Sequence, residues 1–269
     1  MQERPYISLI IPVYNASEYV AGCFGMIDRQ TLDNIEAVFV DDCSTDDTLA
    51  LISSAVSSYT GEKRFSVVST ESNSGPGAAR NAGLAKASGE YVCFVDCDDE
   101  FFPDYCEKLY REAVKYDADI VSCNAMSGED VLCSPRAGGS LSKMARKRIL
   151  RSFVTYLWTY AFRRDFIMSE GISFPRQRSS EDTCFVACAW LKASRVAHVE
   201  SVLYNYIRRA GSVSRKRDSS RGSSRVSSLR AFYKFASDGG FMAEYRFEVW
   251  LIMLKKGYLP SLFDRLTNL

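Results

Sequence analysis

The sequence predicts an α/β protein: a mainly parallel sheet flanked by helices, followed by a helical, basic C-terminal annex. Three observations carry that expectation. Short β-branched apolar runs alternate with helix-like stretches from residue 7 to residue 123, the pattern of a parallel sheet covered on both faces. Polar clusters directly follow the apolar runs, at the carboxyl ends of strands where such sheets bind ligands. Charge is also divided along the chain. Residues 1–132 hold 9 Lys/Arg and 23 Asp/Glu, and residues 133–269 hold 25 and 10, so −14 and +15 sum to the net +1.

Each element has its own signal. Residues 7–13 are apolar and β-branched, a buried strand. Ser17 is placed to cap a helix to about residue 28. Residues 35–40 form a second strand that ends on Asp41 and Asp42. Asp46 or Asp47 is placed to cap a helix through residue 57. Residues 65–68 are a third strand, and 77–87 a helix closed by Gly89. Residues 91–95 are a fourth strand running into Asp96. Pro103 opens a helix to about residue 116, and 120–123 is a further strand. Residues 124–142 read as a loop rich in Gly, Ser and Pro. Beyond it, 143–157, 181–192, 223–237 and 243–256 are expected helices, and 195–198 and 202–206 expected strands.

Composition removes several classes of protein. With 269 residues, 46% hydrophobic and 25% charged, the chain has ample material for a core and is no disordered or fibrous sequence. No apolar window is long enough for a transmembrane helix. The opening residues lack the basic region and cleavage site of a signal peptide. Together with nine cysteines, this places the chain in a reducing cytosol. Cys93/Cys97 and Cys184/Cys188 lack zinc-site spacing and read as core thiols. His198, the single histidine, sits in an apolar stretch and reads as structural. No GxSxG elbow supports a serine hydrolase.

Four constellations have chemical potential. Asp96-Cys97-Asp98-Asp99 crowds carboxylates at a strand end, a repulsion that a divalent cation relieves; oxygen ligands suit Mn²⁺ or Mg²⁺. The alternative is an acidic loop of helix caps. Asp41 and Asp42 lie too early to cap the following helix and are placed to accept from a nucleobase N–H or ribose hydroxyls. The run from Asn73 to Gly83, with Gly75, Gly77 and Arg80, offers helix-N-terminal amides to a phosphate. Arg80 stands where a dinucleotide fingerprint has its third glycine, which disfavours a nicotinamide site. Finally, Ser179-Ser180-Glu181-Asp182-Thr183 opens a helix, where the dipole favours an ionised carboxylate suited to general-base work; a capping box is the alternative.

In order, IIPVYNASEYV, DDCSTDDT, NSGPGAARNAGL, GEYVCFVDCDDE and SED resemble the family 2 glycosyltransferases of GT-A (Rossmann-like) fold, over residues 6 to about 210. LWTYAFRRDFI (157–167) looks like the family's acceptor-side segment and YNYIRRAGSVSR (204–215) like its following loop. The resemblance implies an inverting transfer of a sugar from a nucleotide-sugar, a UDP-sugar by expectation, to an acceptor hydroxyl in surface-polysaccharide or glycolipid synthesis. It implies that Pro12, Val13, Tyr14 and Asn15 contact the nucleotide and that Asp41 or Asp42 bonds the base. Gly75 and Arg80 would line the diphosphate and ribose. Asp96 and Asp98 would fill the DxD motif, Asp98 on the Mn²⁺ or Mg²⁺ ion and Asp96 on ribose or sugar, with Cys97 between them in the donor site. Asp182 would be the catalytic base, with Glu181 beside it. The sequence departs from the family at Thr159-Tyr160 and at Ser180.

The resemblance also implies an organisation. Residues 1–123 would bind the nucleotide-sugar, 124–215 would form the acceptor side of the same domain, and 216–269 a helical extension. The acceptor would be a saccharide or a polyprenyl-diphosphate-linked molecule. Lys143, Arg146, Lys147, Arg148 and Arg151, and then Arg208, Arg209, Arg215, Lys216, Arg217, Arg221, Arg225 and Arg230, would meet acceptor phosphate or the anionic inner face of the cell membrane. Residues 247–256 would lie on that surface, or else pack on the domain with the cations solvated. No motif supports nucleic-acid binding. Two rivals remain at this point. A nucleotidyltransferase lacks its glycine-rich, lysine-bearing loop here. A non-catalytic nucleotide-sugar-binding protein has no need of both Asp98 and Asp182.

Overall fold

The computed structural model describes residues 4–152, 154–176, 180–209 and 220–258, the side chains of 220–223 and 257–258 excepted. Ser179 and the cations Arg215, Lys216 and Arg217 lie outside the described residues, as does the side chain of Arg221.

Strands β1 (Ile7–Val13), β2 (Ile35–Asp41), β3 (Arg64–Ser69) and β4 (Tyr91–Phe94) run parallel in the spatial order β3-β2-β1-β4. Between them lie α1 (Val20–Asp28), α2 (Thr48–Ser58) and α3 (Pro76–Lys86). The short β5 (Glu100–Phe101) and α4 (Tyr105–Tyr116) follow, then β6 (Ile120–Ser127). All the strands and helices expected as far as residue 123 form. Alternation along β1 explains the layering: Leu9 and Ile11 join one apolar cluster with α1, α2 and α4, and Ile10 joins the other with α3.

The second half differs from expectation in four places. The loop expected at 124–142 contains the end of β6, a hairpin strand β7 (Asp130–Leu132) and β8 (Gly139–Ser140). The helix expected over 143–157 stops early as α5 (Lys143–Arg151). A 3₁₀ turn at Leu157–Thr159 then leads into β9 (Tyr160–Arg163), which lies antiparallel between β4 and β6, and α6 (Arg164–Ser169) follows. The two strands expected at 195–206 are one, β10 (Arg195–Asn205), whose register on β6 shifts near Val199 and Val202. Such a bulge bends a strand without ending it, which is why the polar Glu200-Ser201 pair looked like a break.

Helices α7 (Glu181–Lys192), α8 (Ser220–Asp238) and α9 (Met242–Met253) are the remaining helices among the described residues, α9 passing into a π-helical turn at Leu254–Tyr258. The expected cation stripe of α5 is mostly engaged in docking α9. Lys143 pairs with Glu244, Arg151 with the buried Glu248, Arg146 donates to the Tyr245 hydroxyl, and Lys147 lies over the Tyr245 ring. All nine cysteines are free thiols, seven of them buried. His198 is held in the sheet by Ser122 (2.9 Å). Among the described residues no helix is long and apolar enough to cross a membrane.

Candidate active site

The carboxyl end of β4 and the N-terminus of α7 meet at Arg80. This residue projects from the third position past the N1 and N2 residues of α3 and is only 8% exposed. Its Nη2 donates to Asp96 Oδ1 at 2.9 Å and its Nη1 to Glu181 Oε1 at 3.0 Å. Burial opposes the guanidinium charge, but Asp96, Glu181 and Asp182 outweigh it and raise the pKa further. One side chain therefore ties the strand-end carboxylates to the helix that carries the expected base.

The local sequence explains how the pieces come so close. Gly77 lies against α7: a Cβ there would stand 3.0 Å from both Glu181 Cγ and the Pro175 carbonyl. Asn81, next to Arg80, exchanges two hydrogen bonds with the Phe174 backbone (2.8 and 2.9 Å). Helix α3 thus grips the segment ahead of α7 as well as its first residue. Ser180 enters α7 at φ +61, a left-handed conformation that favours glycine.

Asp182 sits half-buried at the second position of α7 and accepts from the Thr183 amide at 2.6 Å. Burial pushes its carboxyl upward, while Arg80, the Thr183 amide and Lys256 pull it back. Glu181 is likewise raised by burial and held down by Arg80. The raised direction makes Asp182 a stronger proton acceptor than an exposed aspartate.

Asp98 forms an ion pair with Arg209 at 3.1 Å, and the Arg209 guanidinium lies over the Tyr19 ring. Burial and then the charge of Asp96 raise the Asp98 carboxyl, with Arg209 opposing. Asp99 is buried, accepting from the Tyr204 hydroxyl and the Ile207 amide, both at 2.9 Å. Burial, reinforced by Asp96, pushes it up to about 8. The Tyr204 hydroxyl also accepts from the Asp96 amide at 3.2 Å, and its ring stacks on Trp158, which stacks on Tyr156.

The β1 and β2 ends interlock. Asn15, at φ +49, accepts from the Thr45 amide at 2.8 Å. Asp42 receives the amides of Ser74 (3.0 Å) and Gly75 (2.7 Å) and the Thr70 hydroxyl. Asp42 is therefore the clasp of the β3–α3 loop, and two backbone amides of the run expected to meet a phosphate are turned to it. Among the described residues the Asp41 carboxylate accepts the Ser44 amide, at 3.2 Å. Asp46 accepts from Thr48 and from the Ser17 amide, which lowers its carboxyl to about 2; it joins two loops instead of simply capping α2.

Of the residues expected in the site, Tyr14, Asn15, Asp41, Asp42, Gly75, Arg80, Asp96, Asp98, Glu181 and Asp182 lie at these strand ends and helix starts, with Pro12 just before them. Two side chains point elsewhere. Val13 is buried in the core, and its carbonyl receives the Asp42 amide. The Cys97 thiol is buried against Cys23. Thr159 and Tyr160 are internal: Thr159 bonds Ser134 (2.9 Å), and the Tyr160 hydroxyl donates to the Val154 carbonyl. Asn81, Tyr204 and the Arg209–Asp98 pair were not anticipated. The adjacency of Asn81 to Arg80 and the Tyr204-x-Tyr206 alternation were their only signals.

Among the described residues no three acidic, thiol or imidazole groups form a metal cage. The oxygen donors of Asp98 and Asp96 nonetheless fit a hard cation that takes its remaining ligands from phosphate and water.

A strand-end carboxylate is joined through Arg80 to a carboxylate at a helix start, at the carboxyl edge of the α/β sheet where such folds bind ligands. The profile of glycosyl transferase family 2 matches residues 8–167. The chain is 29% identical to the putative glycosyltransferase EpsH of Bacillus subtilis, over 92% of this chain and 74% of that one. It is 30% identical to an uncharacterized glycosyltransferase, YibD, of Escherichia coli, over 80% and 65%. Poly(ribitol-phosphate) beta-N-acetylglucosaminyltransferase TarS of Staphylococcus aureus is 30% identical over 74% of this chain and 35% of TarS. The crystal structure of TarS 1–349 with UDP-GlcNAc superposes with a TM-score of 0.71 at 26% identity, covering 84% of this chain and 66% of that one. The chain belongs to glycosyl transferase family 2, and it spans between about a third and three quarters of the lengths of these relatives.

Proposed function

We propose that this protein is an inverting, cation-assisted glycosyltransferase that moves a sugar from a UDP-sugar to an acceptor hydroxyl. The observation that carries the proposal is the Arg80 bridge, which brings the Asp96–Asp98 strand end and the Glu181–Asp182 helix start to the two sides of one guanidinium. Residues 1–123 would hold the nucleotide, with Asp41 rather than Asp42 free to accept from the base. The residues after 124 would present the acceptor, and those after 216 would be an annex. The UDP-GlcNAc complex of TarS supports a uridine donor.

Asp98, with Asp96 beside it, would hold Mn²⁺ or Mg²⁺. When bound, such an ion neutralises charge that builds on the departing diphosphate. The chain's own residues do the rest. Arg80 fixes Asp96 at the donor and Glu181 at the base. Asp182, its proton affinity raised by burial, takes the acceptor hydroxyl proton as that oxygen bonds the anomeric carbon. The bond from that carbon to the β-phosphate oxygen breaks on the opposite face, and the nucleoside diphosphate leaves. Arg209, which pairs with Asp98, would have to move aside for that carboxylate to hold the ion.

The acceptor belongs to polysaccharide or glycolipid synthesis, a saccharide or a polyprenyl-diphosphate-linked chain, and the protein works in the cytoplasm. Phe247, Trp250 and Leu254, which are 63%, 42% and 39% exposed, form one outer stripe of α9 and its final turn, beside the exposed Arg246 and Lys255. This stripe would meet the inner face of the membrane, where Trp and cations favour the headgroup region. Liposome flotation tests that contact: retention on anionic but not neutral vesicles supports it, and equal retention at low salt removes it. The reaction itself is tested by a coupled assay for released nucleoside diphosphate over a donor panel with and without Mn²⁺. Cation-dependent release from a uridine donor is expected. Release of pyrophosphate instead would identify a nucleotidyltransferase, and no release from any donor would leave a binding protein.

A further inference from the structure

The inward face of α9 runs Tyr245, Val249, Ile252 and then Lys256, a spacing of four, three and four residues that keeps one side of a helix against the domain. The first three are buried apolar or aromatic residues; the fourth is a lysine. Lys256 stands in the π-helical turn that ends α9, an irregularity found often at functional sites. Its ammonium donates to Thr155 Oγ1 at 3.1 Å, on the loop that leads through Tyr156 to the Trp158–Tyr204 stack. The carboxylate whose charge acts on Lys256 is Asp182, the proposed base, and Arg225 of α8 and Lys255 repel the lysine. Burial lowers the lysine pKa, and that repulsion adds to it.

Among the described residues no carboxylate lies within ion-pair distance of Arg225, Lys255 or Lys256, and Lys255 bonds only the Arg151 carbonyl (2.7 Å). This contrasts with the α5 cations, which the acids and aromatic ring of α9 satisfy. Excess positive charge held half-buried beside a catalytic carboxylate is costly unless an anion enters. Packing does not need it, since an apolar residue at 256 would continue the stripe.

We propose that Lys256 and Arg225 form an anion subsite on the acceptor side of Asp182, which takes a phosphate group carried by the acceptor. The annex is then part of the active site, and the acceptor is a phosphorylated alcohol or sugar in place of a neutral glycan. The ammonium of Lys256 orients that phosphate over the Thr155–Tyr156 loop and leaves a nearby hydroxyl facing Asp182. The inference rests on the assignment of Asp182 as base, but its test does not depend on turnover.

Two sources of such a phosphate exist, a polyol-phosphate chain and a lipid diphosphate, and calorimetric titration separates them. Ribitol 5-phosphate, farnesyl diphosphate and neutral ribitol are titrated into the 269-residue protein with the donor site filled by UDP and Mn²⁺. One of the two phosphates is expected to bind, and ribitol to bind far more weakly. Lys256→Met should weaken the phosphate by on the order of tenfold, as loss of one charge-assisted contact does. Lys256→Arg should retain most of the affinity and so exclude misfolding as the cause. Arg225→Gln should weaken it as well. Which probe binds names the source. Absence of binding by both phosphates, or equal affinity in wild type and Lys256→Met, overturns the subsite. Failure of UDP to bind would instead remove the proposed donor chemistry, while the comparison of phosphate binding between wild type and Lys256→Met would still be read.

Discussion

Replacing Arg80 by glutamine removes the one cation between two carboxylates. The Arg80–Glu181 pair is buried at both ends, with side-chain exposures of 9% and 10%, so glutamine leaves Glu181 ionised and unmatched. Breaking such a pair from one side costs about 3–5 kcal/mol. Asp96 is a third exposed, and water screens its half of the bridge to well under about 1 kcal/mol. A total near 4 kcal/mol corresponds to a fall in Tm of roughly 10 °C for a domain of this size. The loss also depends on pH. The Glu181 carboxyl is already raised by burial, and without Arg80 it rises further. A carboxyl raised in the folded state is stable below its unfolded pKa and loses stability as pH climbs toward its folded one. The deficit of Arg80→Gln should therefore be smaller at pH 5 than at pH 8. Thermal melts of Arg80→Gln, Glu181→Gln and the double variant at both pH values read this. The double variant should recover on the order of 2 kcal/mol relative to additivity. Strict additivity, or a Tm loss below about 2 °C in Arg80→Gln, would refute the buried bridge.

Two further stability outcomes follow from the site. Ser180→Gly relieves a left-handed residue worth about 1–2 kcal/mol but adds freedom to the unfolded chain, so a net gain of roughly 0.5–1 kcal/mol is expected; a loss on chemical denaturation would show that the serine side chain is needed there. Asp99, with its folded pKa near 8 and an ordinary unfolded value, draws stability down as pH rises from about 4 to about 8, by up to about 1.4 kcal/mol per unit. Asp99→Asn should gain on wild type across pH 5–7 in the metal-free protein; parallel stability curves would show that Asp99 is ionised throughout.

The first 123 residues were legible because their elements are long and repeat one local pattern: a β-branched strand, a polar strand end, then a helix. The residues after 124 were not. Strand β9 is four residues long and takes its place between β4 and β6 through pairings that no local spacing announces, and the β10 bulge imitates a break. The same division runs through the site. Strand-end aspartates reveal themselves by crowding, so the place of Asp96 and Asp98 after a strand was legible, as was that of Asp182 at a helix start. Which of two adjacent carboxylates faces a ligand depends on partners far away. Asp42 is consumed by amides some 33 positions ahead, and Arg80 meets Glu181 across 101 residues. Neither contact leaves a trace in local sequence. The left-handed Ser180 is the converse case: its departure from glycine was visible, and the strain it implied is present.

The central claim is that Asp98 and Asp182 serve opposite sides of one transfer. Mn²⁺-dependent UDP affinity and sugar transfer, measured side by side for Asp98→Asn and Asp182→Asn, test it most directly. Asp98→Asn should lose the Mn²⁺-dependent part of UDP binding, and Asp182→Asn should keep it while transfer collapses. Loss of UDP binding in Asp182→Asn, or full transfer in either variant, would contradict the account.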